Sequence, residues 1–134
     1  MKEYLEQQLK KKAHELVMTT FSVVARLKGQ KGPAVSLRKS VSKIPTAIFE
    51  GQARDFSEDK FRYFVEARNA LFEAKYYLDL LYSEQVITYY SYKNIVTKLE
   101  LLDKMLVSRI RAIDKYKAKE EYRASIRAEY QIKQ

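Results

Sequence analysis

The chain reads as an all-α protein: an antiparallel up-down-up-down four-helix bundle with a C-terminal helical extension. Three observations predict it. Apolar residues recur at helical spacing along nearly all of the 134 residues. Only 3 Gly and 2 Pro are present, too few to punctuate a β-sandwich or barrel. The breaks between periodic stretches are short, so successive helices must run antiparallel. A chain of this length forms one domain with a real core.

The first helix is expected over about residues 2–28. Leu5, Leu9, Ala13, Leu16, Thr20, Val23 and Leu27 form one stripe. Val17, Phe21 and Val24, with Met18 nearby, lie on the opposite or flanking side. A helix on the rim of a bundle needs a single apolar stripe. A second stripe implies a second partner, so Val17, Met18, Phe21 and Val24 are expected at an interface between copies. Gly29-Gln30-Lys31-Gly32-Pro33 ends this helix.

The second helix, about 34–53, places Leu37, Val41, Ile44 and Ile48 inward. Pro45 lies inside it and must kink it or remove a hydrogen bond. Gly51 near its end permits a turn or a close helix contact. The segment Asp55-Phe56-Ser57-Glu58-Asp59 separates it from the third helix. Ser57 is the expected N-cap, with Glu58 and Asp59 at the positive end of the helix dipole.

The third helix, about 57–83, is expected to bury Phe61, Phe64, Val65, Leu71, Phe72, Leu78 and Leu81. Arg62, Glu66, Asn69 and Glu73 form its polar strip. A weaker break at 83–88 precedes a fourth helix of about 88–116. Tyr92, Ile95, Leu99, Leu102, Leu106 and Ile113 face inward from it. A helical tail continues to about residue 130, with Tyr122, Ile126 and Tyr130 four apart.

The run from Leu37 to Gly51 is distinctive. Leu37, Arg38 and Lys39 are followed by Ile44-Pro45 and then by Ile48, Glu50 and Gly51. Downstream stand Phe61, Phe64, Ala67, Leu71 and Glu73. This pattern resembles the four helix bundle protein family. That family includes proteins encoded within intervening sequences of 23S ribosomal RNA genes and the Avd-like accessory proteins of diversity-generating retroelements. The resemblance covers roughly residues 13–113. The chain departs from the usual pattern at Lys43, Ala47 and Asn69-Ala70. The resemblance implies structural roles for Arg38, Pro45, Glu50, Gly51 and Glu73. It also implies a ring-like homopentamer and, if the chain is of the retroelement type, binding to nucleic acid and a reverse transcriptase; the intervening-sequence members have no settled biochemical role.

The net charge is +9. Residues 1–33 carry +4, 34–56 carry +2, 57–103 carry −2 and 104–134 carry +5. Such a balance favours polyanionic partners, nucleic acid above all. On the fourth helix, Lys93, Lys104, Arg111 and Lys115 share the face opposite Leu99, Leu102 and Ile113. Glu100, Asp103 and Asp114 fall on an adjoining strip. Segregation of this kind suits a phosphate-facing surface, because alternating signs would cancel the field. Lys10, Lys11, Lys12, Lys117, Lys119, Arg123 and Arg127 are expected to add to it. The expected partners are therefore further copies of the chain and RNA or DNA. The alternatives are an adaptor whose basic surface meets an acidic protein, and a purely structural bundle.

Catalysis finds little support. His14 is the only histidine, so neither a di-metal carboxylate bundle nor a nucleophile–His pair can be assembled. There is no Cys, hence no thiolate chemistry or thiolate zinc site. Gly29 and Gly32 lack the Lys-Ser/Thr of a phosphate loop. No cofactor or metal is expected. The charged opening Met1-Lys2-Glu3-Tyr4-Leu5-Glu6 is unlike a signal peptide, and no run of about 18 apolar residues would span a bilayer. A cytoplasmic protein without membrane contact is expected.

Overall fold

The computed structural model describes residues 2–27 and 32–133. Four helices follow one another: α1 (Lys2–Ala25), α2 (Pro33–Ala53), α3 (Ser57–Ser83) and α4 (Tyr89–Lys133). Each contacts its neighbours in the order α1–α2–α3–α4–α1, and among the described residues no diagonal pair touches. This is a square bundle. The helices run antiparallel, since Gly51 of α2 abuts Phe64 while Lys43, further back along α2, pairs with Glu73, further along α3. Among the described residues no helix is long and apolar enough to cross a membrane.

The first helix ends at Ala25, and Arg26 and Leu27 close it with tight turn bonds to the carbonyls of Val23 and Val24. Much of the predicted break at 29–33 lies outside the described residues. Gly32 adopts φ 70°, a conformation open to glycine, and Pro33 then starts α2 with its φ already helical. The helix continues through Pro45 to Ala53.

Ser57 does not cap α3. Phe56 holds the extended cap position without a side-chain bond, and Ser57 is the first helical residue. The fourth helix is capped instead, by the Thr88 hydroxyl, which accepts from the Ser91 amide at 3.1 Å. Between α3 and α4, Gln85 takes φ 59°. Its amide donates to the Tyr82 carbonyl, and that of Val86 to the Leu81 carbonyl. These paired bonds form a Schellman turn with Gln where Gly is usual.

The core stripe is Leu9, Ala13, Leu16, Thr20 and Val24 on α1, with Leu37, Val41, Ile44 and Ile48 on α2. The third helix adds Phe64, Leu71, Leu78 and Leu81, and α4 adds Ile95, Leu99, Leu102, Leu106 and Ile113. Ala67, Ala70 and Ala74 of α3 are buried as well; Ala70 lies beside Ala47 of α2, and Gly51 of α2 abuts Tyr63 and Phe64. Small residues on both sides let these two helices approach closely.

Several residues fall elsewhere than their periodicity predicts. Val24 is only 8% exposed and belongs to the protomer's own core, not to an outer face. Val17 and Phe21 are half-buried against that core, and the Arg38 guanidinium lies 4.7 Å from the Phe21 ring centre. Of the second stripe only Met18, at 56%, stays well exposed. Phe72 is exposed rather than buried because it lies off the narrow stripe that a square bundle covers, and Leu5, on the stripe, is exposed in the first turn of α1.

The expected helical tail continues the last helix without a break, so α4 runs for 45 residues, about 67 Å. Its last buried side chain is Ile113. Residues 118–132 are all exposed, and past Glu121, which still lines a hollow with the start of α3, the end of α4 is an exposed arm.

Candidate nucleic-acid interface

The outer face of α4 is built by exclusion. Ile95, Leu99, Leu102, Leu106 and Ile113 turn inward, which leaves Lys93, Lys104, Arg111 and Lys115 pointing to solvent, and all four are exposed. Lys104 and Arg111 line one shallow hollow of about 350 Å³, with Asp103, Val107 and Ser108. Asp103 would weaken the field there, but the Arg68 Nε of α3 donates to its carboxylate at 2.8 Å. That hydrogen bond holds the Arg68 guanidinium above its usual range. The hollow is therefore positive on balance, although Glu100 is exposed on the same helix.

The other predicted basic residues scatter. Lys10 leans over the Phe49 ring of α2, 4.9 Å from its centre. Lys12 pairs with Glu15 at 3.5 Å, and Lys11 is exposed. Lys117 turns toward α3, 5.8 Å from the Phe61 ring centre. There it lines an acidic hollow with Asp55, Glu58, Asp59, Glu120 and Glu121. Lys119, Arg123 and Arg127 are exposed on the arm.

Two of the motif residues that carry the resemblance, Glu50 and Glu73, sit between α2 and α3. Lys43, Glu50 and Glu73 line a polar groove of about 430 Å³, with Ser42, Thr46 and Asn69. Lys43 and Glu73 approach to 3.6 Å. Arg54, just after α2, donates to the Tyr63 hydroxyl at 3.0 Å. The Ser42 and Thr46 hydroxyls donate to carbonyls of their own helix. Arg38 covers Phe21, and Gly51 admits α3 to close contact.

A polar cluster that periodicity cannot reveal joins all four helices at one end of the bundle. Gln52 Nε2 donates to the Glu6 carbonyl at 3.0 Å, and Arg109 reaches the Glu6 carboxylate at 3.3 Å. The Lys60 ammonium donates to the carbonyls of Gly51 and Gln52, closing the end of α2. Burial pushes the Lys60 ammonium down, with Lys2 and Arg109 acting the same way and Glu6 opposing them. The contacts span up to 103 residues of sequence, beyond any local signal. Among the described residues no group of three or more His, Asp or Glu is placed to hold a metal.

The comparisons with known proteins agree with this fold. The family model described as 23S rRNA-intervening sequence protein matches residues 6–108. Among solved structures, the chain is similar to a crystal structure from Bacteroides thetaiotaomicron, of a protein with unknown function from the S23 ribosomal protein family. The TM-score is 0.77 and the identity 21%, covering 80% of this chain and 98% of that one. At that identity the likeness is one of fold. No curated protein matches the chain.

Proposed function

The chain belongs to the 23S rRNA-intervening sequence protein family, and from that premise we propose that it is a non-enzymatic accessory protein that binds nucleic acid electrostatically. The observation that carries this reading is the hollow on α4. Lys104 and Arg111 flank it, Lys93 and Lys115 extend it along the helix, and Arg68 neutralises its one carboxylate. Exposed lysines and arginines on one face recognise phosphates, not bases, so sequence preference is weak. Copies of the chain assemble and repeat this face. Five copies, the number implied by the resemblance, would carry about +45 from the +9 of each.

The test is anisotropy of a labelled 20-base-pair duplex between 50 and 200 mM salt. If each of the four cations neutralises one phosphate, affinity falls about 150-fold over that range. Replacing Lys104, Arg111 and Lys115 by Glu abolishes most of the binding and leaves the circular dichroism unchanged. Absent binding at 50 mM, or a flat salt dependence, overturns the proposal. Retention of a protein partner from nuclease-treated extract, with no binding to nucleic acid, favours the adaptor instead.

A further inference from the structure

We propose that the arm of α4 beyond Lys117 is a stacking platform for unpaired nucleic acid, a specificity that deepens the electrostatic reading above and depends on it. The arm is helical to Lys133, yet its residues 118–132 are all exposed, and only Glu120 and Glu121 of them line a hollow with the start of α3. It also lies beyond residue 108, where the family match ends. Its role must be sought in its own side chains.

Tyr122, Ile126 and Tyr130 recur every four residues and so form one stripe. The two tyrosines are 68% and 65% exposed, and Ile126 is 47% exposed. On the helical wheel this stripe continues the line of Lys104, Arg111 and Lys115, with Lys119 within it and Arg123 beside it. Glu120 and Glu121 turn the other way, into the acidic hollow beside Asp55–Asp59. Glu129 is the one carboxylate left near the stripe. A phosphate strand following the positive face of α4 therefore runs onto exposed aromatic rings.

That combination favours single strands. Cationic side chains track a backbone, and aromatic rings take bases whose faces are free. A duplex keeps its base faces inside the stack and offers Tyr122 and Tyr130 nothing to cover. Eight residues of helix separate the two rings by about 12 Å. At about 3.4 Å per stacked nucleotide that distance spans three or four of them. A protein partner is the weaker fit. The stripe holds a single aliphatic residue between two tyrosines, and its flanks, Glu129 apart, are cationic.

The experiment uses the full chain, with Tyr122→Ala/Tyr130→Ala and Tyr122→Phe/Tyr130→Phe variants. Binding to a 20-nucleotide oligothymidylate is compared with binding to a 20-base-pair duplex at 50 mM salt. Loss of each ring costs about tenfold on the single strand. The alanine pair therefore loses about 100-fold there and less than twofold on the duplex, and the phenylalanine pair keeps full affinity. Because the chain has no Trp, its emission comes from its 11 tyrosines, and the part of the quenching by oligothymidylate that is lost in the phenylalanine pair, whose affinity is kept, reports stacking on Tyr122 and Tyr130. Unchanged single-strand affinity in the alanine pair overturns this inference and leaves the electrostatic reading standing. So does an equal loss on both ligands, or dissociation of an assembly of copies in the alanine pair. Failure of the unmodified chain to bind either ligand overturns both readings.

Discussion

Gly51 lies in the last turn of α2, packed against α3. A Cβ there would stand 3.0 Å from Cε2 of Phe64, 3.1 Å from its Cδ2, and 3.1 Å from Cβ of Tyr63. Alanine would gain about 1 kcal/mol of helix propensity. The clash outweighs that gain, because Tyr63 Cβ is fixed to the α3 backbone and Phe64 is fully buried. Gly51→Ala is expected to lower stability by about 1–2 kcal/mol, measured by urea unfolding. An unchanged or higher midpoint refutes the argument. Gln85 presents the opposite case. Its φ of 59° is a strained conformation for a residue with a side chain, held by the Schellman bonds around it. Gln85→Gly should raise stability by about 0.5–1 kcal/mol in the same assay. The two residues were not equally legible. Glycine near a helix end announces a turn or close contact, whereas glutamine gives no sign that it ends one. The capping residues divided in the same way. Ser57 has the right chemistry but sits one residue inside α3, and Thr88 performs the role at α4.

Between elements, the α3–α4 pair is clasped near its turn by three groups. Lys75 donates to both Asp79 oxygens at 2.6 and 2.7 Å, and the Tyr92 hydroxyl donates to Oδ1 at 2.6 Å. Tyr82 stacks on the Tyr92 ring at 4.4 Å. Burial works to raise the Asp79 carboxyl, but the hydrogen bonds from Lys75 and Tyr92 outweigh it and hold it below the usual range. Burial likewise pulls Lys75 down, and its bonds to Asp79 and Tyr92 carry it above its usual value. Tyr92 is raised by its bond to Asp79 and by burial. A lowered carboxyl stabilises the fold above about pH 4, and that stability is lost as pH falls through the folded value. Raised Lys and Tyr groups stabilise it below about pH 10, and that stability is lost as pH rises through their folded values. Asp79→Asn should therefore cost about 1 kcal/mol at pH 7 and flatten the acid limb of a midpoint-against-pH curve. An acid limb as steep as that of the unmodified chain refutes the clasp. The helices themselves were readable from apolar spacing, and their ends fell within a few residues of those expected. Side-chain partnerships were not, because Asp79–Tyr92 and Arg68–Asp103 form only after α3 and α4 have docked. The burial of Ala70 and Ala74 is not legible for a related reason, since alanine is at home on either side of a helix. The arm was legible as a helix, but its exposure appears only when the last core residue, Ile113, is located.

At the scale of the whole molecule, charge and apolar surface pull in opposite directions. Two-sided apolar patterning on α1 predicted self-association. The protomer itself absorbs Val24 and half-covers Val17 and Phe21, which leaves Leu5 and Met18 as the large aliphatic side chains most exposed on α1. Cations shield further rings, with Lys10 over Phe49 and Arg68 over Phe72. Each protomer also carries +9, so copies repel one another at low salt. Association through Leu5 and Met18 must overcome that repulsion. Salt screens it, with a Debye length that falls from about 10 Å at 0.1 M to about 3 Å at 1 M. Association of copies should therefore strengthen as salt rises, while binding to nucleic acid weakens through loss of counterion release. The two salt dependences have opposite signs, so a single series separates them. Sedimentation velocity of the nucleic-acid-free chain at 10 µM should show mass increasing between 50 and 500 mM salt. Met18→Glu should hold it as a folded monomer throughout. A chain that is monomeric at every salt concentration would confine the positive field to one copy, and the ring of repeated α4 faces would have no basis.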